Sequence, residues 1–205
     1  MPAAVRTATA ADLRVVIDLA RRFSNQIGFI PETQLEEDIA AGSIIITLEN
    51  DTPAGYMLAR PGLATFRECR PIFQTAVYLD AQRRHHGLAL LQDIETTTRH
   101  AGKHVLQCMC REELESNFFW KAAGFVPIGR RTAVNARKQP LILWRKALTH
   151  HGRTLIHALP QEYRPTRPGG RWTTADDPRR QPPIERFTAE EAASLFTRNG
   201  PISDP

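Results

Sequence analysis

Long apolar runs are missing from this 205-residue sequence. The densest run is SIIITL at residues 43–48, well short of the roughly 18 apolar residues that a membrane-spanning helix requires. The opening stretch MPAAVRTATAADLR has no apolar segment followed by a cleavage site, so we expect no secretory signal. These absences favour a cytoplasmic protein without a membrane partner.

Cysteine is also scarce. The three cysteines are too few, and odd in number, for a disulfide framework, which fits a reducing compartment. Cys108 and Cys110 form a C-x-C pair that a histidine could complete as a metal site, but two residues do not define one. Free cysteine is more often simply buried, and we predict no metal site.

Acidic residues are absent from residues 129–146, although the whole chain carries a net charge of only +5. The segment contains six cations: Arg130, Arg131, Arg137, Lys138, Arg145 and Lys146. Such a surface attracts phosphate, either of a nucleotide cofactor or of nucleic acid. The alternative is a solvated strand pair whose long cationic side chains cover apolar surface, and the sequence leaves both interpretations open.

The chain changes character near Leu148. Residues 149–205 hold eight of the fifteen prolines and little apolar material, so we predict a folded domain at 1–148 and a Pro/Arg-rich tail at 149–205. The tail should be mostly extended or disordered. A short helix is predicted at 188–198, because Thr188 and Glu191 have capping-box spacing.

Periodicity within 1–148 predicts alternating strands and helices. Apolar residues recur at helical spacing through residues 9–23, and helices are also predicted at 31–41, 86–100 and 112–122. Seven strands are predicted, with Asn50 and Asp51 turning the hairpin between the second and third. The order β-α-α-β-β-β-α-β-α-β-β indicates an α/β layered fold.

Residues 82–89, QRRHHGLA, stand where a strand leads through a tight turn into a helix. The free N–H groups of a first helical turn and the helix dipole make an anion site. Gly87 and Ala89 allow a close backbone approach, and Arg84 adds positive charge. The segment therefore has the chemistry of a diphosphate cradle, although a plain helix entry with solubilising basic residues fits the turn alone.

Two motifs in order resemble the GNAT superfamily of N-acetyltransferases. The first is the strand FQTAVYLD followed by Arg84-His85-His86-Gly87-Leu88-Ala89 and a helix; the second is FWKAAGF at residues 119–125. The resemblance covers about residues 4–148. It implies a mixed central sheet of about seven strands, with helices on both faces, splayed between the fourth and fifth strands.

The resemblance also implies a cofactor and its contacts. Acetyl-CoA would be the co-substrate, with its pantetheine arm paired to backbone groups of Val77, Tyr78 and Leu79. The pyrophosphate would lie on the N–H groups of residues 84–89, that is Arg84, His85, His86, Gly87, Leu88 and Ala89. Trp120 stands where the family often places a tyrosine that serves as general acid.

That departure leaves the proton chemistry open, because the indole N–H does not titrate in the useful range. Trp120 either packs or contacts a ligand. The candidate catalytic residues are Tyr78 beside the expected thioester, Glu113 at the start of the following helix, and Cys110 as a covalent nucleophile. A solvated helix face explains Glu113 equally well.

Three functions remain at the level of sequence. The favoured one is acyl-CoA-dependent transfer, acetyl from acetyl-CoA, to a primary amine of a small molecule or protein. The second is a GNAT-like enzyme that modifies nucleic acid, bound through residues 129–146 and the tail, where Tyr163 and Trp172 could stack on bases. The third is a non-catalytic CoA-binding module. The acceptor and the oligomeric state are left undetermined.

Overall fold

A computed structural model of the chain describes residues 3–62, 66–132, 139–158 and 184–197. The chain divides into two compact units. The first comprises Met1–Met109 and Lys146–Tyr163, and the second comprises Cys110–Arg145 and Arg164–Pro205. In the ranges that the structure describes, no helix combines the length and the apolar character that crossing a membrane requires.

Eight strands and seven α-helices occur in the described residues. The strands are β1 Ala4–Thr7, β2 Ile44–Glu49, β3 Thr52–Ala59, β4 Cys69–Val77, β5 Val105–Arg111, β6 Val126–Thr132, β7 Pro140–Ala147 and β8 Glu185–Arg186. The helices are α1 Leu13–Arg22, α2 Ser24–Ile27, α3 Glu32–Ala40, α4 His86–His100, α5 Ser116–Ala122, α6 His150–Leu155 and α7 Ala189–Ser194.

The first unit contains a mixed sheet in the order β1-β2-β3-β4-β5. The first three pairings are antiparallel, and β4 pairs with β5 in parallel. Asn50 and Asp51 have φ of 49° and 61°, which is the backbone of a two-residue hairpin turn whose twist matches the flanking strands. The turn predicted at these residues is confirmed.

Helices cover both faces of this sheet, as predicted. On one face, Ile44 and Ile46 of β2 pack in a core with Leu19 of α1 and Leu35 of α3. The next residue, Thr47, points to the opposite face because side chains alternate along a strand, and there it meets α4. The sheet of the first unit is therefore buried between two layers of helix.

The predicted splay between the fourth and fifth strands is confirmed. β4 and β5 pair from Cys69 and Val105 only as far as Ile72 and Cys108. At that point the register between β3 and β4 shifts and leaves Phe73 unopposed, and a bulge of this kind bends a strand. β4 then continues to its end at Val77 without a partner on β5. Its free edge faces the splay.

The second unit contains the strand order β7-β6-β8 with α5 and α7. β8 was not predicted; it pairs antiparallel with β6 and brings the total above the seven strands expected. α5 begins at residue 116, later than the predicted 112. The turn that precedes it is fixed by Asn117, whose amide donates to the carbonyl oxygens of Arg111, Glu112 and Leu114.

Two helices lie beyond residue 148. α6 begins after Thr149, whose hydroxyl accepts from the Gly152 N–H at 3.0 Å. α7 begins after Thr188, which forms a reciprocal capping box with Glu191 at 2.7 and 3.1 Å. Most of the predicted extended tail, including Tyr163 and Trp172, lies outside the described residues, so the division at 148 stays a prediction.

Candidate acyl-donor site

The turn between β4 and α4 adopts an unusual backbone. A 3-10 turn at Leu79–Ala81 follows β4, and then Arg83 and His85 both take left-handed conformations, with φ of 62° and 65°. Such conformations cost non-glycine residues roughly 1–3 kcal/mol each and cluster at functional sites. His85 is followed directly by the right-handed residues of α4, and a left-handed residue beside a right-handed one turns successive N–H groups toward one point, which is the geometry of an anion nest.

The N–H groups of this turn are free to bind a ligand. Ala89 is the first residue of the helix whose N–H is bonded, to the carbonyl oxygen of His85 at 2.9 Å. Among the described residues, none of the N–H groups of residues 83–88 donates to a carbonyl or side-chain acceptor. Unpaired donors at a helix N-terminus are suited to phosphate oxygens. The residues predicted to form the cradle therefore lie in one turn whose N–H groups have no acceptor among the described residues.

Two side chains around the cradle have partners that the sequence analysis did not predict. The imidazole of His86 is buried, with Nδ1 2.9 Å from the hydroxyl of Thr47 on β2, so His86 offers the cradle only its backbone. The guanidinium of Arg84 donates to the carboxylate of Glu49 at 2.8 Å. Part of the positive charge expected beside the cradle is thus compensated by a carboxylate that the motif does not contain.

The end of β4 offers fewer backbone groups than predicted. The Tyr78 N–H donates to the carbonyl oxygen of Ala54 at 2.9 Å, and the Tyr78 carbonyl accepts from Ala81. Pairing alternates along an antiparallel strand, so the backbone of Val77 and Thr75 faces away from β3, toward the splay. Of the three predicted residues, Val77 has the suitable orientation, and its carbonyl oxygen accepts from the Gln82 side chain at 3.1 Å. Thr75 was missed.

Tyr78 does lie close to a charged pair. Its hydroxyl donates to the Asp18 carboxylate of α1 at 2.9 Å, and Arg22 donates to the same oxygen at 2.7 Å. Burial, and then the bond to Asp18, raises the pKa of Tyr78 above its ordinary value. The phenol is therefore protonated at neutral pH, which is the form a general acid requires, while the raised pKa makes it a weaker acid than an ordinary tyrosine.

A buried polar chain supports the same region of β4. Gln74 accepts from the hydroxyl of Tyr56 at 2.7 Å and donates to the carbonyl oxygen of Gly28 at 3.0 Å. Both side chains are buried, and burial raises the pKa of Tyr56. Gln74 ties β4 to the turn after α2. Sequence reasoning missed it, because one polar residue in a strand resembles a solvent-facing position.

An apolar pocket opens between α1 and α3 in the same unit. Its lining includes Ile17 and Ala20 of α1, Leu35 of α3, and Phe29 between the helices. Phe29 is 82% exposed, which is unusual for a large apolar side chain. Ser24 and Ile30 also line the pocket, so it lies beside the segment that connects α1 to α3.

In the second unit, Cys110 is a poor nucleophile. Its side chain is buried, and its sulfur lies 3.2 Å from the hydroxyl of Ser116. Burial raises the pKa of the Cys110 thiol, which outweighs the opposite effect of Ser116. Because the thiolate is the reactive form, the geometry disfavours the covalent route considered from the sequence.

Trp120 and Glu113 also belong to the second unit. The Trp120 ring is buried and packs edge-on against Phe125 and Phe119, at 5.1 and 5.0 Å between ring centroids. This favours the packing interpretation of Trp120. Glu113 is half exposed and its carboxylate lies 3.1 Å from the Arg111 guanidinium, so it is an ion-paired surface residue. Trp144 donates to Asn117 at 2.8 Å and secures the turn before α5.

Most described cations of the 129–146 segment are engaged. Arg130 pairs with Glu112 in the second unit, and Arg145 is only 1% exposed. Lys146, in the first unit, lies 2.5 Å from Glu95. Arg137 and Lys138 lie outside the described residues. The cations that the structure describes therefore contribute less free positive charge than the sequence suggested.

No protein-family sequence model matches this chain, and no curated protein matches its sequence. Solved structures do match. Ard1 from Thermoplasma volcanium is similar over 73% of this chain and 99% of that chain, with a TM-score of 0.65 and 14% identity. A protein of Desulfovibrio desulfuricans assigned to the GNAT family of acetyltransferases matches over 72% and 99%, with a TM-score of 0.59 and 21% identity.

A third similar structure is YncA from Salmonella typhimurium, solved with its cofactor acetyl-CoA. It matches over 74% of this chain and 96% of that chain, with a TM-score of 0.62 and 16% identity. These neighbours share one architecture with the chain at low sequence identity. The chain has the GNAT fold, and the resemblance predicted from the two motifs is confirmed at the level of fold.

Proposed function

We propose that this chain is an acyl-CoA-dependent N-acyltransferase that moves an acetyl group from acetyl-CoA to a primary amine. The observation that carries the proposal is the cradle at residues 83–88, where consecutive N–H groups have no acceptor among the described residues. It lies directly after the free edge of β4, which is suited to an extended arm. A similar fold, that of YncA, was solved with acetyl-CoA.

The residues present fit this cofactor. The cradle would bind the pyrophosphate through backbone N–H groups, and the Val77 and Thr75 backbones would pair with the pantetheine arm. When bound, acetyl-CoA supplies an activated thioester whose carbonyl carbon a neutral amine attacks, with a thiolate leaving. Tyr78 is our candidate for the acid that would donate a proton to that thiolate, the proton lost by the amine nitrogen would restore the phenol, and Asp18 holds the hydroxyl. Glu113 and Cys110 are weaker candidates, for the reasons of pairing and burial given above.

Calorimetric titration of acetyl-CoA into the purified protein tests the cradle. We expect micromolar binding that Gly87→Glu weakens at least tenfold, because a like charge at about 4 Å costs roughly 1–4 kcal/mol. Thr96→Glu is the matched control, since it adds the same charge to an exposed position on α4, roughly 14 Å along the helix and beyond the Debye length of about 8 Å. Equal binding by both variants would mean that the site is misplaced.

A non-catalytic CoA-binding module is the second candidate. The packed Trp120 in place of a titrating residue, and the protonated thiol of Cys110, favour it. The two functions differ in thioester turnover. Release of free CoA thiol in the presence of a panel of primary amines supports the enzyme, whereas tight binding without turnover across the panel supports the module.

Nucleic-acid modification remains the third candidate, with less support. It rests on the 129–146 segment, whose described cations are largely paired or buried. If the chain binds DNA through several phosphates, affinity must fall steeply as salt is raised. Absence of DNA binding at low salt would remove this candidate.

A further inference from the structure

Residues 184–197 form a segment that docks on the rest of the second unit, and we call it the docked segment. It begins as a strand: Arg186 pairs with Gly129 of β6, and Glu185 pairs with Arg130. The Phe187 N–H continues the ladder with a bond to the carbonyl oxygen of Ile128 at 3.2 Å. The segment thus adds a short strand to the outer edge of β6, which is the way many proteins bind extended peptides.

Gly129 makes this close approach possible. A Cβ added there would lie 2.4 Å from the Glu185 carbonyl oxygen and 2.7 Å from the Ile184 side chain. Its φ is not in the left-handed region, so a side chain would not strain its own backbone. The nearest atoms to such a side chain all belong to the docked segment. Substitution of Gly129 is therefore a selective way to exclude that segment.

Aromatic contacts hold the C-terminal end of the docked segment. The Phe196 ring lies 5.6 Å from Phe118 of α5, edge-on, and 5.7 Å from Trp144 of β7, centroid to centroid. Between strand and anchor runs α7, whose carbonyl end accepts from Lys121: the ammonium lies 3.3 Å from the Ala193 oxygen and also contacts Leu195. Aromatic pairs of this geometry add to the stabilisation from buried area.

Charge complements the shape. The docked segment, IERFTAEEAASLFT, has three glutamates and one arginine, so its net charge is −2. Two cations of the host surface contact it: Lys121 caps α7, and the Arg130 guanidinium lies over the Phe187 ring at 5.5 Å. Lys121 and Arg130 contact backbone oxygens and an aromatic ring rather than glutamates, and Arg130 also pairs with Glu112, so charge acts on the segment through longer-range attraction, such as that of Arg130 on Glu191.

We propose that this face of the second unit is a peptide-docking site, formed by the outer edge of β6 with Phe118, Lys121 and Trp144. It takes an acidic segment with two phenylalanines nine residues apart, and the chain occupies it in cis with its own docked segment. The proposal concerns a site separate from acyl transfer, so it stands whether or not the chain binds acetyl-CoA.

Hydrogen exchange on the full-length chain is the first test. In the wild type we expect protected N–H groups in residues 185–195. Gly129→Val should remove that protection by steric exclusion, and Phe196→Ala should remove it by loss of the anchor, while α4 keeps its own protection in both variants. Phe29→Ala is the matched control, since it deletes an exposed phenylalanine of the first unit. Protection that survives both substitutions would overturn the proposal.

A synthetic peptide of residues 184–197 provides the second test. Phe196→Ala in the chain vacates the site but leaves its host residues intact, so this variant should bind the wild-type peptide at least about tenfold more tightly than the wild-type chain does. Gly129→Val should not bind it, and a peptide with its own Phe196→Ala change should bind neither chain. Failure of the vacated chain to bind the peptide would refute the site.

Light scattering distinguishes docking of the segment on its own chain from docking on a second copy of the chain. We expect a molecular mass that is the same for the wild type and Phe196→Ala. A wild-type oligomer that dissociates in the variant would overturn the cis assignment, because a second copy would then be supplying the segment.

Discussion

Glu49 holds Arg84 at the cradle: the carboxylate oxygen lies 2.8 Å from the guanidinium and 4.0 Å from Nε2 of the buried His86. The same carboxylate is an anion near the place where we expect a diphosphate. Glu49→Gln keeps an oxygen for Arg84 and removes the negative charge. We expect acetyl-CoA to bind a few times more tightly, with a larger gain at low ionic strength, as measured by calorimetry at two salt concentrations.

Glu36→Gln is the control for this change, because it removes the same charge from an exposed position on α3. Its affinity for acetyl-CoA should equal that of the wild type. Weaker binding by Glu49→Gln would contradict the prediction and would mean that orientation of Arg84 by the charged carboxylate matters more than the repulsion.

Tyr78 should matter for turnover rather than for binding. Tyr78→Phe removes the hydroxyl that we assign as the acid, while the backbone at the end of β4 is unchanged. We expect kcat to fall by about 100-fold, a typical effect of losing a general acid, with acetyl-CoA affinity within about twofold of the wild type. Steady-state kinetics and calorimetry measure the two quantities.

Tyr56→Phe is the matched control, since it deletes the same hydroxyl from a buried tyrosine outside the proposed chemistry. At temperatures below its melting temperature, this variant should have the same kcat as the wild type. The pKa of Tyr78 is raised from 10.0, so in the wild type loss of its proton should not limit the rate below pH 10. A wild-type kcat in the Tyr78→Phe variant would exclude Tyr78 as the acid.

The features that could be predicted from the sequence are those set by the backbone preferences of neighbouring residues. α4 ends at His100 and is followed by Gly102, whose φ of 69° suits glycine, and the hairpin turns at Asn50 and Asp51 because those residues tolerate left-handed backbone. The sequence did not predict β8, because two residues show no periodicity and the strand exists only through docking on β6. α6 was missed in a proline-rich region, although Thr149 supplies an ordinary N-cap.

The candidate site also has one part that local sequence predicts and another part that depends on contacts between distant segments. The cradle was found because its N–H geometry follows from a strand, a turn and a helix in one stretch of sequence. Glu49 was missed because it lies 35 residues from Arg84, and Gln74 because its partners Tyr56 and Gly28 come from other elements. Contacts between distant segments carry no local pattern, so they required the structure.

Acid should weaken the fold through Asp12. Arg6 donates to the Asp12 carboxylate at 2.8 and 2.9 Å, and this bond, with help from Thr9, lowers the pKa of Asp12 to about 2. Against the ordinary value of 3.8, the shift stabilises the folded state by about 2 kcal/mol. That contribution is present above pH 3.8 and is lost as the pH falls to about 2.

Asp12→Asn measures this contribution. In urea unfolding it should be less stable than the wild type by about 2 kcal/mol at pH 6, and the difference should shrink toward zero near pH 2. Glu36→Gln, at an exposed position, should track the wild type throughout. A difference that is independent of pH would show that packing, rather than the charge of Asp12, stabilises the first strand.

The Tyr56–Gln74 bond should couple β3, β4 and the turn after α2. Tyr56→Phe leaves the buried Gln74 oxygen without its donor, and Gln74→Leu leaves both the Tyr56 hydroxyl and the Gly28 carbonyl unpaired. Each single change should cost about 1–3 kcal/mol, the usual cost of an unsatisfied buried polar group. The double variant should cost less than the sum by about 1 kcal/mol, because it removes both partners of the bond. Additive losses in urea unfolding would mean that the two side chains act independently, and that Gln74 supports β4 only through Gly28.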